Sequence, residues 1–478
     1  MVERAPPQHY VARWSRGVRM DTEVIRHIDT FRDTSQMREI FQRHLVPADN
    51  PSCVVESCAV DFVRQASSRC LVQYTIQLRE TETGPPRSRV VTGVTYDEGR
   101  APRILARARR SGLRFIKTED LALLAVAYVP ELHMLIQVFP YDFRLPALAQ
   151  LMQGPPPEVA TVLAAEFGPG DWRLETWEAE SLRYRVDMRA MVRLDVGARE
   201  AESGRVTRRR VYAKIYRDEE QGAQAHELQR ELWQRTAADD VGFVVARPIA
   251  YLDQHRTNLL DEVTGVRFLE ILRSTDEALP AARRAARAAA GLHHMPLVES
   301  LTARERPPRD ELARLKATTE RLQVAVPDLD RAIVEVSDVI ATSVTHGPSA
   351  PTHFDLKPAH ILLDDDRVAL LDFDKLVIAD PMVDVAGLLT HIGKERGQSR
   401  RRQMRTEAIG RAFVEEYFSH VPAAWYDRLP AFYALTLLIE AARTGSSLRG
   451  RAAKQDSDDR IAALIQAARN AAAGNLWS

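Results

Sequence analysis

The apolar positions of this chain follow two rhythms, with a change near residue 270. From about 156 to 270 they come in short strand-like runs, with one helical stretch among them. In Val211-Tyr212-Ala213-Lys214-Ile215-Tyr216 the two-residue period puts Tyr212, Lys214 and Tyr216 on one face and Ala213 and Ile215 on the other. Beyond 270 the pattern is mainly helical. Ala281 to Gly291, mostly Ala and Arg, is a strong helix former, and His420 to Ala442 and Asp459 to Ala473 also read as helices. One apolar hairpin interrupts them. Ile361-Leu362-Leu363 and Val368-Ala369-Leu370-Leu371 flank the turn Asp364-Asp365-Asp366-Arg367. Residues 1–50 are polar and read as a tail with some helix, and Gly154-Pro155-Pro156-Pro157 marks a boundary.

A repeat lies within the strand-rich part. Shifted by 120 positions, residues 69–96 fall on 189–216 without a gap, and nine of the 28 positions are identical. Roughly two would match by chance. Val126-Ala127-Tyr128-Val129 then echoes Ile249-Ala250-Tyr251-Leu252. Self-similarity at a fixed offset points to one structural unit used twice. The expected organisation is a tail over 1–50, a first small sheet domain over 51–155, a second over 156–270 and a helical part over 271–478.

Composition narrows the class. The chain has 478 residues, 45% hydrophobic and 28% charged, as in soluble globular proteins. Its 66 basic and 66 acidic residues balance, which gives no bulk attraction for nucleic acid or an anionic membrane. The three cysteines, Cys53, Cys58 and Cys70, lack metal-ligand spacing and suggest reduced thiols in a cytoplasm. No apolar signal region and no membrane span are visible.

The candidate chemistry sits around the hairpin. His353-Phe354-Asp355-Leu356-Lys357-Pro358-Ala359-His360 precedes it and Asp372-Phe373-Asp374 follows it. A hairpin of that length returns Asp372 close to Asp355. Phosphoryl transfer needs a carboxylate to orient the attacking hydroxyl, another to hold a divalent cation and a positive charge on the phosphates. Asp355 and Asp372 supply the first two.

This string, with Asp380-Pro381-Met382-Val383-Asp384 after it, resembles the catalytic segment of the aminoglycoside phosphotransferase and choline kinase family. The resemblance implies an α+β, bilobal protein-kinase-like fold: a small antiparallel-sheet N-lobe and a mainly helical C-lobe. The repeat adds a degenerate N-lobe-like domain before them. Asp355 then matches the catalytic base and Asp372 the magnesium ligand. Asp374 assists the metal or is structural, His353 braces the loop, and Lys357 neutralises the transferring phosphate. His360 stands where the family has Asn, a second magnesium ligand. Imidazole suits softer metals, whereas magnesium prefers oxygen. Asp384 is expected to be structural.

The nucleotide side carries further matches. Lys214 resembles the phosphate-binding lysine of kinase N-lobes, and its partner would be Glu227 or Glu231 on the following helix. Asn258-Leu259-Leu260-Asp261-Glu262-Val263-Thr264-Gly265 resembles the hinge, with Glu262 and Val263 at the adenine. The strand pair over the phosphates has no glycine. Its Arg183, Arg185 and Arg189 bind phosphate or form a solvated turn. His293 and His294 are adjacent on a helix, diverge, and read as structural. The first copy has Val94 where the second has Lys214, so it is expected to cap the site or dock a protein partner. The leading expectation is an ATP- and Mg2+-dependent kinase of a small hydroxylated molecule. The alternative is a pseudokinase scaffold.

Overall fold

A computed structural model of the chain describes residues 28–50, 52–66, 69–81, 84–96, 99–110, 123–273, 277–344, 347–365, 367–395, 399–445 and 451–477. Residues 1–27 of the expected tail, Glu82 of the repeat and Asp366 of the hairpin turn lie outside them. Two compact units part between Phe139 and Pro140.

In the first unit, helix α1 (Thr34–Leu45) is capped by Asp33, whose side chain accepts from the Ser35 and Gln36 amides. Strands β1 (Val54–Ala66), β2 (Arg69–Arg79), β3 (Arg87–Thr95), β4 (Val126–Val129) and β5 (Met134–Val138) form an antiparallel sheet in the order β1-β2-β3-β5-β4, and helix α2 (Arg100–Arg110) follows β3. Phe41 of α1 meets Tyr74 of β2 edge-on, with ring centroids 5.0 Å apart, inside the core of this unit.

The second unit starts with α3 (Pro146–Gln153) and α4 (Pro157–Ala165). Its strands β6 (Trp172–Arg185), β7 (Arg189–Glu200), β8 (Val206–Tyr216), β9 (Pro248–Leu252) and β10 (Thr257–Asp261) take the order β6-β7-β8-β10-β9, and α5 (Glu219–Ala238) follows β8. The two sheets thus share strand order and the place of their helix. They also share detail. Tyr96 donates its amide to the His133 carbonyl at 3.1 Å, and Tyr216 donates to the Arg256 carbonyl at 2.9 Å. His133 and Arg256 both end a 3-10 turn in the left-handed region, at φ 45° and 48°. One architecture is used twice, as the nine identities indicate.

After β11 (Val266–Arg267) and α6 (Phe268–Arg273) the chain is mainly helical: α7 (Ala278–His294), α8 (Pro308–Ala325), α9 (Asp330–Ser343), α10 (Met382–Lys394), α11 (Arg400–Phe418), α12 (Leu429–Gly445) and α13 (Arg451–Ala472). The alanines of α7 are buried, which lets the helix lie close to its neighbours. At Gly291 a Cβ would fall 1.9 Å from the Val241 carbonyl oxygen, so only glycine fits that approach. The helix expected from His420 begins at Leu429 instead. Pro422 precedes a 3-10 turn over Ala423–Arg428, and Pro430 sits in the first turn of α12, where its missing amide costs no bond. Short strands β12 (Ala350–Thr352), β13 (Ile361–Leu363), β14 (Val368–Leu370) and β15 (Val377–Ala379) carry the loops of the site, with β13 and β14 forming the expected hairpin. The fold is α+β: a small antiparallel sheet followed by a helical part, preceded by a second sheet unit of the same strand order.

Candidate active site

The β13–β14 hairpin returns the chain on itself. Ile361 pairs with Leu370, and the Leu371 amide donates to the His360 carbonyl at 2.9 Å. Asp372 then turns sharply, with φ 67°. Phe354, beside Asp355, has φ 63°. Both lie where side-chain-bearing residues are rarely found, and such strain persists only where neighbours fix it. Asp384, fully buried in the first turn of α10, does so at Phe354. It accepts the His353 amide at 2.6 Å and the Phe354 amide at 2.8 Å. His293 of α7 holds Asp384 at 3.2 Å and reaches the Tyr417 hydroxyl of α11 at 2.7 Å. His294 stacks on Trp425. The adjacent histidines therefore have separate structural contacts. His353 donates its Nε2 proton to the Leu371 carbonyl at 2.9 Å, which ties the loop to the hairpin end.

Asp355 is half-buried, with Lys357 3.2 Å from one carboxylate oxygen and Lys375 3.4 Å from the other. Burial alone would raise its pKa; Lys375, Lys357 and His360 outweigh burial and bring it to about 2. His360 is pushed down to about 3, by burial first and then by Lys357, so its ring is neutral. Its Nδ1 lies 3.1 Å from the Asp355 carbonyl, which only accepts, so Nδ1 carries the proton. The lone pair on Nε2 then faces Asp372 Oδ2 across 3.6 Å. Donor atoms of Asp355, His360 and Asp372 all lie within 4.8 Å of one another. Two carboxylates and an imidazole nitrogen so placed fit a divalent cation.

Lys214 closes this centre from β8. Buried with 6% of its surface exposed, it lies 2.6 Å from Asp372 Oδ1 and 2.6 Å from Asp374 Oδ1. Arg189, at the start of β7, also binds Asp374 and lies 3.7 Å from Asp372. Tyr216 donates its hydroxyl to Asp374 at 3.1 Å. Two cations thus face two carboxylates. Burial opposes both charges, yet the carboxylates hold the Lys214 pKa up, and Lys214 and Arg189 hold Asp372 well below the carboxylate range.

The expected partner of Lys214 is different. Glu227 does not meet it; its carboxylate binds Arg230, and nearly half of its side chain is exposed. Glu231 accepts the Ser300 amide at 3.0 Å. Helix α5 turns its neighbouring residue His226 to the sheet, 2.7 Å from Asn258 Oδ1. One residue along a helix is about 100° of rotation, so Glu227 is carried away from Lys214. The arginine turn also departs from a purely solvated reading, because Arg189 is engaged at the carboxylates. The sequence makes Arg189 a phosphate ligand or a solvated residue; its pairing with Asp374, and the contacts of Tyr216 and Lys375, are ones that sequence reading passed over. Tyr216 lies on the strand face that alternation gives to Lys214.

A cleft of about 900 Å3 opens beside Lys214, lined by Tyr212, Tyr216, Met191, Leu260, Leu362 and Leu370 among others. Lys357, His360, Asp372 and Asp374 border it, as do Glu262, Val263, Thr264 and Gly265. Asp261 pairs with Val211 across β10 and β8, so the 262–265 segment and Lys214 are separated by three residues of strand, roughly 10 Å. The Glu262 carboxylate is bound by Arg210 at 3.0 Å.

Residues 198–418 match the model of the phosphotransferase enzyme family. No curated protein matches the chain. Among solved structures, the chain is similar to the GDP complex of an aminoglycoside 2′-phosphotransferase, with 15% identity, covering 65% of this chain and 95% of that one, TM-score 0.42. It is also similar to a choline/ethanolamine kinase family protein from Mesorhizobium loti, with 16% identity over 69% and 98% of the two chains, TM-score 0.41. An ethanolamine kinase from Plasmodium vivax shares 10% identity over 77% and 96%, TM-score 0.41. Over residues 198–418, from the end of β7 to the end of α11, this chain carries the sequence pattern of the phosphotransferase enzyme family, the one its His353–Asp372 string resembles.

Proposed function

We propose that this protein transfers the terminal phosphoryl group of ATP, with a divalent cation such as magnesium, to a hydroxyl of a small molecule. The convergence of Asp355, His360 and Asp372 beneath Lys214 carries this reading. The cleft supports it with room for a nucleotide, a polar segment at 262–265 and a lysine roughly 10 Å further along β8.

Asp372 and Asp355 would hold the cation, with His360 Nε2 as a nitrogen donor. When bound, the cation neutralises charge on the phosphate oxygens. Lys214 and Arg189 would move from the carboxylates onto the phosphates as the nucleotide enters. Asp355 accepts a hydrogen bond from the acceptor hydroxyl and aims its oxygen at the terminal phosphorus. The new P–O bond forms as the bond to the bridging oxygen breaks; that electron pair leaves with ADP, and the hydroxyl proton passes to Asp355. A carboxylate with pKa about 2 is a poor base, so Asp355 orients the hydroxyl and takes its proton late. Lys357 offsets charge on the phosphoryl oxygens in flight.

The test is direct. Purified protein should bind Mg-ATP and release ADP with an accepted substrate, and Asp355→Ala should abolish turnover while leaving the thermal unfolding curve cooperative. A protein whose unfolding is unmoved by nucleotide and magnesium would instead be a scaffold.

A further inference from the structure

Six lysines and arginines line the cleft, and five of them face an acid. Arg189, Arg210, Lys214, Arg267 and Lys357 each have a carboxylate within 4.0 Å. Arg183 has none among the described residues, and its guanidinium makes no hydrogen bond there. Strand register brings it to the cleft. Leu182 is an extra residue in β6, so Ser181 pairs with Val192 whereas Arg183 pairs with Met191. Met191 in turn pairs with Lys214 of β8. Residues directly opposite on neighbouring strands share a face, so Arg183 stands on the side of Lys214, two strand spacings or roughly 10 Å away. Without the bulge, alternation would send Arg183 to the opposite face.

Lys357 reaches the same cleft from the catalytic loop. Burial lowers its pKa; Asp355 opposes that, and the charge of Arg183 adds to the lowering. The end of the hairpin that carries Arg183 is fastened. Asp187, between β6 and β7, has φ 61°, and its amide donates to an oxygen of Asp142 at 2.9 Å. The hydroxyl of Tyr184, the residue after Arg183, donates to the same oxygen at 3.0 Å, and the Arg144 amide donates to the other at 2.8 Å. Asp142 itself is 1% exposed. The Arg217 amide holds the Met188 carbonyl at 3.1 Å. A hairpin without glycine offers little backbone to a phosphate. Here its tip is anchored and a side chain reaches into the cleft instead.

We propose that Arg183 binds the terminal phosphate of the nucleotide opposite Lys357, and that Asp142 is the positioning residue that fixes the hairpin end for it. This rests on the phosphotransferase reading above and deepens it: one guanidinium distinguishes a nucleoside triphosphate from a diphosphate. The planar fork of an arginine matches two phosphate oxygens. A terminal phosphate between Arg183 and Lys357 sets its oxygens against two cations as charge spreads over them in transfer. Lys214, roughly 10 Å away across the row, is left for the inner phosphates.

The experiment is calorimetric titration of the full chain with Mg–ADP and with Mg–AMP-PNP, a non-hydrolysable triphosphate. Arg183 is exposed, so Arg183→Gln should fold. It should raise the Kd for AMP-PNP about tenfold, the worth of one charged hydrogen bond, and change that for ADP less than about twofold. Arg183→Lys should recover part of the loss. Asp142→Asn and the milder Tyr184→Phe should each weaken AMP-PNP about threefold and spare ADP, and neither should add to the loss in an Arg183→Gln background, which a merely structural role would not produce. Equal losses for the two nucleotides in Arg183→Gln, or no loss, overturn the proposal and leave the phosphotransferase reading standing. Losses that add in the double variants overturn the role of Asp142. If the unaltered protein binds neither nucleotide, the phosphotransferase reading fails and this proposal falls with it.

Discussion

Lys214 lies 2.6 Å from Asp374, the same distance as from Asp372, so the amine of β8 ties down both carboxylates after the hairpin. With Arg189 on the other side, the four charges balance in a nearly closed space. Lys214→Met would leave two buried carboxylates with one cation. A loss of about 3 kcal/mol is expected in urea unfolding, together with loss of nucleotide binding in a fluorescence titration.

Asp372 and Asp374 should separate in function. Asp372 belongs to the cluster with Asp355 and His360, whereas Asp374 is bound by Lys214, Arg189 and Tyr216. Asp372→Asn should abolish cation-dependent nucleotide binding. Asp374→Asn should lower Tm yet keep a cation-dependent shift, measured by calorimetry with and without magnesium.

His360 should set cation preference. Its unprotonated Nε2 faces Asp372, and nitrogen favours manganese over magnesium more than an amide oxygen does. His360→Asn is expected to lower the ratio of manganese to magnesium affinity about tenfold, read from manganese EPR with magnesium as competitor.

Glu227 should matter little. Its partner is Arg230 on a partly exposed helix face. Glu227→Ala is expected to change nucleotide affinity less than about twofold. A large loss would mean that Lys214 changes partner when nucleotide binds.

Acid should act late at Asp355. Its folded pKa, about 2, lies below the ordinary 3.8. The stability it contributes is present above about pH 4 and is lost as pH falls through 2. Activity should therefore show no limb from Asp355 between pH 5 and 7. Lys357 has a lowered pKa, from burial against the opposing charge of Asp355, so an alkaline limb should appear below the usual lysine range in a kcat/KM profile.

Much of the site was legible because the hairpin and the alternating strand are local. The spacing from Asp355 to Asp372 encloses one hairpin, and a hairpin fixes where its ends meet. Alternation fixed the face of Lys214, and the repeat pointed to two related small sheets, which have the same strand order. What escaped depends on helix phase and on contacts far apart in sequence. Glu227 or His226 facing the sheet is a matter of one residue's rotation. Arg189 meets Asp374 across 185 residues, and no local pattern reports that. The start of α12 slipped because Pro422 and Pro430 bracket a tighter turn that apolar periodicity does not register.

Val94 occupies in the first sheet the position of Lys214 in the second, and it is wholly enclosed. Restoring an amine there would confine a charge beside Leu71, its buried partner across the β2–β3 ladder, with no acidic hairpin of its own following in sequence to receive it. The first sheet thus repeats the strand order of the second without the charge that Lys214 brings to its two carboxylates.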